Sequence, residues 1–421
     1  MKTKAVRIYG KNDLRLEEFE LPQIKDDEIL AHIISDSICM STYKAAIQGS
    51  DHKRVPKDID INPTIVGHEF CGEIIEVGEK WKNQFKPGDK FSIQPALNQK
   101  DDPYAAPGYS FQYIGGSATY IVIPNVVMEL GCLLKYEGDA YFYGSVAEPM
   151  SCIVGTFHAN YHAARGSYIH SMGIVEGGNM AILAGVGPMG IGAIDYAIHC
   201  DRKPKLLVVT DIDAARLSRA ASIYTVEEAA ENGVDLKYVN TAEIDKPEEY
   251  LRALTGGRGY DDVIVFAPIK SVVEQGDEIL AHDGCLNFFA GPSNTAFSAD
   301  FNFYNVHYAS THVVGTSGGN TDDMKESLDM MAKGLINPSS MITHIGGLSS
   351  VVETTLNLPK IPGGKKLIYT NIDMELTAIT DFKEKGKTEP LFAKLAEIIG
   401  NSNDLWCAEA EKYLIENAKR I

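Results

Sequence analysis

Cys39, the adjacent pair His68-Glu69, and Glu148 are the side chains whose types could do chemistry together in the amino-terminal part of the chain. A soft thiolate, an imidazole and two carboxylates can hold one zinc ion and leave a coordination position for a substrate oxygen. Each has an ordinary explanation when taken singly: a His-Glu pair satisfies itself at a strand edge, and a cysteine fills a small space in a core. Here all four precede one glycine-rich loop, and each falls near an expected strand or helix boundary. The expected ligands are therefore Cys39, His68, Glu69 and Glu148, with the order of the two glutamates left open. A zinc ion so held is a Lewis acid, able to polarise a carbonyl for hydride attack. Ser41 brings a hydroxyl close to Cys39.

The second chemical stretch is Gly185-Val186-Gly187-Pro188-Met189-Gly190. It follows the apolar run Met180 to Ala184, precedes an expected helix from Ile191 to Cys200, and is followed by a strand ending at Asp211. In that setting the glycines let the backbone approach a pyrophosphate at a helix N-terminus, and the acid takes the adenosine ribose hydroxyls. The expected contacts are Gly185, Gly187, Pro188, Met189, Gly190 and Asp211. The Asp211 carboxylate repels a 2'-phosphate and favours NAD; were it paired with Arg216, NADP would fit as well.

Residues 4 to 35 alternate apolar and polar positions, the period of half-buried strands, so Cys39 lies at a strand end. His68 and Glu69 lie at the mouth of another strand, and Pro87-Gly88 turns between two more. From Met180 the pattern becomes apolar runs (Leu206 to Thr210, Asp262 to Phe266, Cys285 to Phe289) alternating with helices, which predicts a parallel doubly wound sheet. After about residue 318 the chain becomes turn-rich and strand-like again, ending in Leu367-Ile368-Tyr369 and returning to complete the first domain. Two helices follow. One carries Leu391, Phe392, Leu395, Ile398 and Ile399; the other is capped by Asn403 or Asp404 and presents Trp406, Tyr413 and Leu414. The α/β chain thus divides into 1–154, 155–318, a return over 319–370, and a helical extension over 371–421.

A chain of 421 residues is too long for one typical core. A net charge of -18 argues against duplex nucleic acid as a partner. No amino-terminal stretch reads as a secretory signal, and no run is long enough to span a bilayer. Seven cysteines scattered from Cys39 to Cys407 predict free thiols in a cytoplasmic protein. Against this acidic background, Lys44 and His52-Lys53-Arg54 sit between the two metal-binding stretches, where they could face a substrate phosphate or form a solvated basic turn.

Gly67-His68-Glu69 with Gly72 and Val77-Gly78, then Phe85-Lys86-Pro87-Gly88-Asp89, Gly115-Gly116 and the glycine loop resemble the zinc-dependent medium-chain dehydrogenases over residues 1 to 370. Glu148-Pro149-Met150-Ser151 resembles their polyol dehydrogenase branch. Further stretches resemble the L-sorbose 1-phosphate reductases: Pro107-Gly108-Tyr109-Ser110-Phe111, Asn160-Tyr161-His162, Gly315 to Met324, and Gly363-Gly364-Lys365-Lys366. The resemblance implies a GroES-like, mostly β catalytic domain and a Rossmann coenzyme domain, forming a homodimer or homotetramer. It implies reduction of L-sorbose 1-phosphate to D-glucitol 6-phosphate, with Ser41 passing the proton and the glutamate not bound directly holding water at the ion. Relatives often place a histidine where Lys44 stands, as the outer end of the relay. Pro95 to Gly116 lacks the cysteines of a second, structural zinc, so one catalytic zinc per subunit is expected. Lys44, His52 and Lys53 are the candidates for the phosphate. The alternatives are a dehydrogenase of a free polyol such as sorbitol, and a non-catalytic binding relative.

Overall fold

The computed structural model describes residues 1–421, which form two compact units. The first comprises 1–148, 324–334 and 338–421; the second comprises 149–323 and 335–337. These divisions compare with expected boundaries at 154/155 and 318/319. The extension over 371–421 belongs to the first unit.

The first unit is built on an eight-stranded sheet whose central strand is Ile29–Ile38. Ile29, Ala31 and Ile33 are fully buried with Phe70, Ile74 and Phe91, which drives the sheet together by removing apolar surface from water. Both sheet neighbours on the site side run antiparallel to the central strand. Phe70–Val77 pairs with Asp36 opposite Phe70, and Lys365–Tyr369 pairs with Ile38 opposite Lys366. Antiparallel pairing sets the end of one strand beside the start of the next. Cys39, which follows Ile38, therefore meets His68-Glu69, which precede Phe70, and Lys365, which opens the third strand. The Ser37 N–H donating to the Glu69 carbonyl (2.9 Å) carries the ladder to this corner.

Two helices complete the corner. Met40–Gln48 starts at Cys39, and Tyr141–Ala159 carries Glu148. The C-terminal helices Pro390–Gly400 and Ala408–Asn417 bury Phe392, Leu395, Ile398, Ile399 and Leu414 against Phe142, Val146 and Tyr369. Neither Asn403 nor Asp404 caps the second of these. Both adopt left-handed backbone angles (φ 55° and 56°), Trp406 precedes the helix in full burial, and Cys407 occupies the cap position without a side-chain hydrogen bond. The return segment also holds a helix, Thr321–Ala332, where strand-like structure was expected. Its start is fixed by the Asn320 side chain, which accepts from the N–H groups of Asp322 (2.7 Å) and Asp323 (2.9 Å).

The second unit holds a six-stranded parallel sheet. Its strands, in sheet order, are Asp235–Asn240, Leu206–Asp211, Asn179–Leu183, Tyr260–Val265, Leu280–Phe288 and His312–Gly315. Numbered along the chain this is 3-2-1-4-5-6, the dinucleotide-binding order, and the switch point lies beside the first strand. The glycine loop follows that strand and leads into the helix Pro188–His199. Ahead of it, a hairpin of Tyr161–Ala163 and His170–Met172 occupies the long spacer after Glu148.

Candidate metal centre and dinucleotide loop

Cys39, His68 and Glu69 come together as expected, with one potential ligand atom from each lying within 4.8 Å of the others. His68 and Glu69 are buried, and Cys39 is part-exposed. Gly67 allows the approach: its φ is +91°, and a Cβ there would fall 2.3 Å from Asp36 Oδ2 and 2.8 Å from the Ser117 nitrogen. Glu148 is outside the trio, but its charge acts on Cys39, Tyr109 and Lys365.

The Ser41 hydroxyl lies 3.0 Å from Cys39 Sγ, to which it donates, and 3.2 Å from His68 Nε2. Thr42 Oγ1 (3.2 Å) and the Tyr109 hydroxyl (3.0 Å) both approach His68 Nδ1. Lys44 lies one helical turn beyond Ser41, on the same face of Met40–Gln48. Two residues of this site had no role assigned from sequence. Tyr109 tilts against the His68 ring at 4.9 Å between centroids. Lys365 places its ammonium 2.5 and 2.6 Å from the two Glu69 carboxylate oxygens, fully inside the unit. The signal for Lys365 was the repeated lysine after Gly363-Gly364, whose neighbour Lys366 caps a turn by donating to three carbonyls.

Burial pushes the Cys39 thiol up to about 12, and the adjoining Glu69 charge adds to the effect. Burial likewise lowers His68 to about 4, so its imidazole is neutral at ordinary pH. Burial would raise Glu69, but the Lys365 ammonium and His68 outweigh it and hold the carboxylate below its ordinary range. A sulfur, a neutral imidazole and a buried carboxylate within 4.8 Å of one another suit a divalent cation, which favours thiolate and needs a neutral histidine. The donor set therefore fits zinc.

The glycine loop fits a dinucleotide by a separate test. A Cβ on Gly187 would meet nothing within 4 Å, so the backbone is open where a pyrophosphate would approach, whereas one on Gly190 would sit 2.2 Å from the Gly185 carbonyl oxygen. The first property lets a ligand in, and the second allows close packing of helix on loop. Pro188 and Met189 open the helix. Asp211 ends its strand and accepts from the N–H groups of Ile212 (2.8 Å) and Asp213 (3.0 Å). Arg216 pairs with Asp213 at 3.5 Å, not with Asp211.

Another group of potential ligands, His162, Asp283 and His312, lies in the second unit. All four ring nitrogens face oxygen acceptors: Asp283 O and Asp262 Oδ1 for His162, Ser310 O and Tyr161 O for His312. That arrangement suits N–H donation, and these side chains tie the hairpin to the sheet.

A thiolate-imidazole-carboxylate centre on a mostly β unit, in a chain whose other unit is a 3-2-1-4-5-6 sheet with a glycine loop, defines a metal-dependent dehydrogenase. Family comparison agrees: the alcohol dehydrogenase GroES-like domain matches residues 25–130, and the zinc-binding dehydrogenase family matches residues 188–333. The chain belongs to the zinc-dependent medium-chain dehydrogenases, in their polyol dehydrogenase branch, and is an alcohol or polyol dehydrogenase. It is 55% identical to the mannitol-1-phosphate 5-dehydrogenase of Aliivibrio fischeri, over 98% of this chain and 97% of that protein. It is 49% identical to the L-sorbose 1-phosphate reductase of Klebsiella pneumoniae, over 100% and 98%. Among solved structures it shares its fold with the 2R,3R-butanediol dehydrogenase of Bacillus subtilis (TM-score 0.69, 20% identity, 88% of this chain and 100% of that one). It also shares it with a zinc-binding dehydrogenase from Sinorhizobium meliloti 1021 bound to NADP (TM-score 0.69, 18% identity, 88% and 100%).

Proposed function

We propose that the protein is a reductase of a ketose phosphate, interconverting L-sorbose 1-phosphate and D-glucitol 6-phosphate with a nicotinamide dinucleotide. The observation that carries this reading is the Cys39, His68 and Glu69 centre, with His52 stacked on Tyr109 beside it and the charges of Lys53 and Lys44 acting on His52, in a chain about half identical to two enzymes of phosphorylated sugars. The 55% identity to a mannitol-1-phosphate 5-dehydrogenase favours a second reading, with mannitol 1-phosphate as the polyol.

Cys39, His68 and one or both of Glu69 and Glu148 would hold a single zinc ion, which when bound supplies Lewis-acid polarisation of the carbonyl. The dinucleotide, held at Gly185, Gly187, Pro188, Met189, Gly190 and Asp211, supplies the hydride. Ser41 Oγ is placed to give a proton to the substrate oxygen as it gains charge, and to take one back in the reverse direction. Lys44, one turn along the same helix, is the outer end of that path. Tyr109 and Thr42 fix the His68 ring, which holds its reactive nitrogen in one direction. Lys365 neutralises Glu69 and keeps it drawn toward the sheet.

NAD(H) is the proposed cofactor: Asp211 has no cationic partner to offset its repulsion of a 2'-phosphate. Seven free cysteines support a reducing compartment such as the cytoplasm. Exposed Tyr168, Ile169, Phe303, Tyr304 and Tyr308 in the second unit support assembly with copies of the same chain. Reduction assays with L-sorbose 1-phosphate and unphosphorylated L-sorbose, and oxidation assays with mannitol 1-phosphate and sorbitol, each with both cofactors, test the whole reading. Preference for a free sugar or polyol would replace it with the unphosphorylated polyol dehydrogenase. Absence of zinc and of binding to either cofactor would leave the non-catalytic relative.

A further inference from the structure

The basic loop is not uniform. Asp51, at its start, is taken up by Lys11 at 2.5 Å, and Lys53 is exposed with its ammonium over the Tyr104 ring at 4.8 Å. His52 is half-buried and stacks against Tyr109 at 5.9 Å. Burial, then the charges of Arg54, Lys53 and Lys44, lower its pKa to about 4, so it is an uncharged donor at neutral pH. Arg54 is different. Its backbone is fixed on both sides, with the N–H donating to His52 Nδ1 (3.3 Å) and the carbonyl accepting from Ser110 Oγ (2.7 Å). Its guanidinium makes no hydrogen bond and no ion pair, and lies 5.2 Å from the centre of the Tyr109 ring.

A half-buried guanidinium offers five N–H donors in a planar fork whose geometry matches the paired oxygens of a carboxylate or phosphate. The chain carries a surplus of 18 negative charges, yet none pairs with Arg54. The ring that supports it is the one whose hydroxyl touches His68, so the guanidinium lies within about 10 Å of the metal-site imidazole by way of Tyr109. We propose that Arg54 is the phosphate anchor of the substrate, gripping the phosphate of the ketose phosphate bidentately while Lys53 adds charge from the exposed side. This rests on the sugar-phosphate reading and deepens it. It moves the main role from Lys44 and His52 to the one fixed, unpartnered fork in the loop.

The test measures kcat/KM of the zinc-loaded protein for L-sorbose 1-phosphate and for unphosphorylated L-sorbose, with inhibition by inorganic phosphate as an independent probe. Arg54→Met keeps the bulk of the side chain, and Arg54→Lys keeps the charge without the fork. The ratio of the two kcat/KM values should fall about a hundredfold in Arg54→Met, through KM, and about tenfold in Arg54→Lys. The inhibition constant of phosphate against the phosphorylated substrate should rise by at least about tenfold in Arg54→Met. A ratio and a phosphate constant that stay at the wild-type values in Arg54→Met overturn the assignment of Arg54. A wild-type protein with no preference for the phosphorylated ketose overturns the sugar-phosphate reading instead. Zinc content measured in each variant excludes a loss of fold: a lower ratio accompanied by loss of zinc counts against Arg54 as an anchor.

Discussion

Glu411 sits in the C-terminal extension, but its carboxylate ends at the helix that carries Glu148. One oxygen accepts from the Tyr141 N–H (2.6 Å), and the other accepts from the Phe142 N–H (2.9 Å) and the Tyr369 hydroxyl (2.8 Å). Tyr141 and Phe142 are the first residues of that helix, so Glu411 caps it from a distant part of the chain. Only 3% of Glu411 is exposed, and burial raises its pKa to about 7 in spite of these donors and the Lys90 charge. Tyr136, Tyr141, Tyr143, Tyr369 and Cys71 face it as well, and burial raises each of them further above its ordinary range, so all five are neutral near pH 7. A folded pKa above the unfolded one means that the folded state holds the proton more tightly. The stability from that proton is complete below about pH 4.5 and is lost as pH rises through about 7. Between about pH 5 and pH 8 the loss amounts to about 2 to 3 kcal/mol. Glu411→Gln carries no charge at either pH, so its stability should lack this slope. Chemical denaturation of both proteins at the two pH values reads the difference directly. Equal slopes for wild type and Glu411→Gln would refute the assignment of a buried, raised carboxyl at the helix end.

Lys365→Met should leave Glu69 as an uncompensated buried charge and cost about 3 to 5 kcal/mol in zinc-free protein, most of it recovered in the double variant with Glu69→Gln. Denaturation of the three variants measures the coupling, and simple additivity would count against the pair. Asp211→Asn removes the charge proposed to meet the adenosine ribose and should raise the ratio of NADPH to NADH efficiency by about tenfold, or 1.4 kcal/mol. Initial rates with the two cofactors decide it, and an unchanged ratio removes Asp211 from cofactor choice.

The clustering of Cys39, His68 and Glu69 was legible in the sequence because the sheet keeps sequence order locally. Cys39 directly follows one strand, and His68-Glu69 directly precede its antiparallel partner, so reading two strand boundaries already places the three donors at one corner. The glycine loop was readable for a similar reason: strand, turn and helix are contiguous in the chain. Lys365 was not readable in this way. It is 296 residues from Glu69, and only the pairing of Lys365–Tyr369 beside Ile29–Ile38 brings the two together. Local pattern says nothing about which distant strand will be the neighbour.

The cap of the Tyr141 helix shows the same limit more sharply. An N-terminal cap is usually sought one residue before the helix, where Ser, Thr, Asp or Asn signals it. Here Ala140 stands in that place, and the acceptor is Glu411, 270 residues away from Tyr141. The extension was read correctly as amphipathic helices because Leu391, Phe392, Leu395, Ile398 and Ile399 keep the helical period, but periodicity reports only that a face is buried, never against what. Its partner turns out to be the same core that holds Phe142, Val146 and Tyr369, on the two elements that bring Glu148 and Lys365 to the site. Tyr369 links them: it donates to Glu411, accepts from Trp406 Nε1 at 2.7 Å, and lies on the strand opened by Lys365. The extension is therefore structural support for the helix and the strand behind the candidate metal centre, and its loss would loosen both at once.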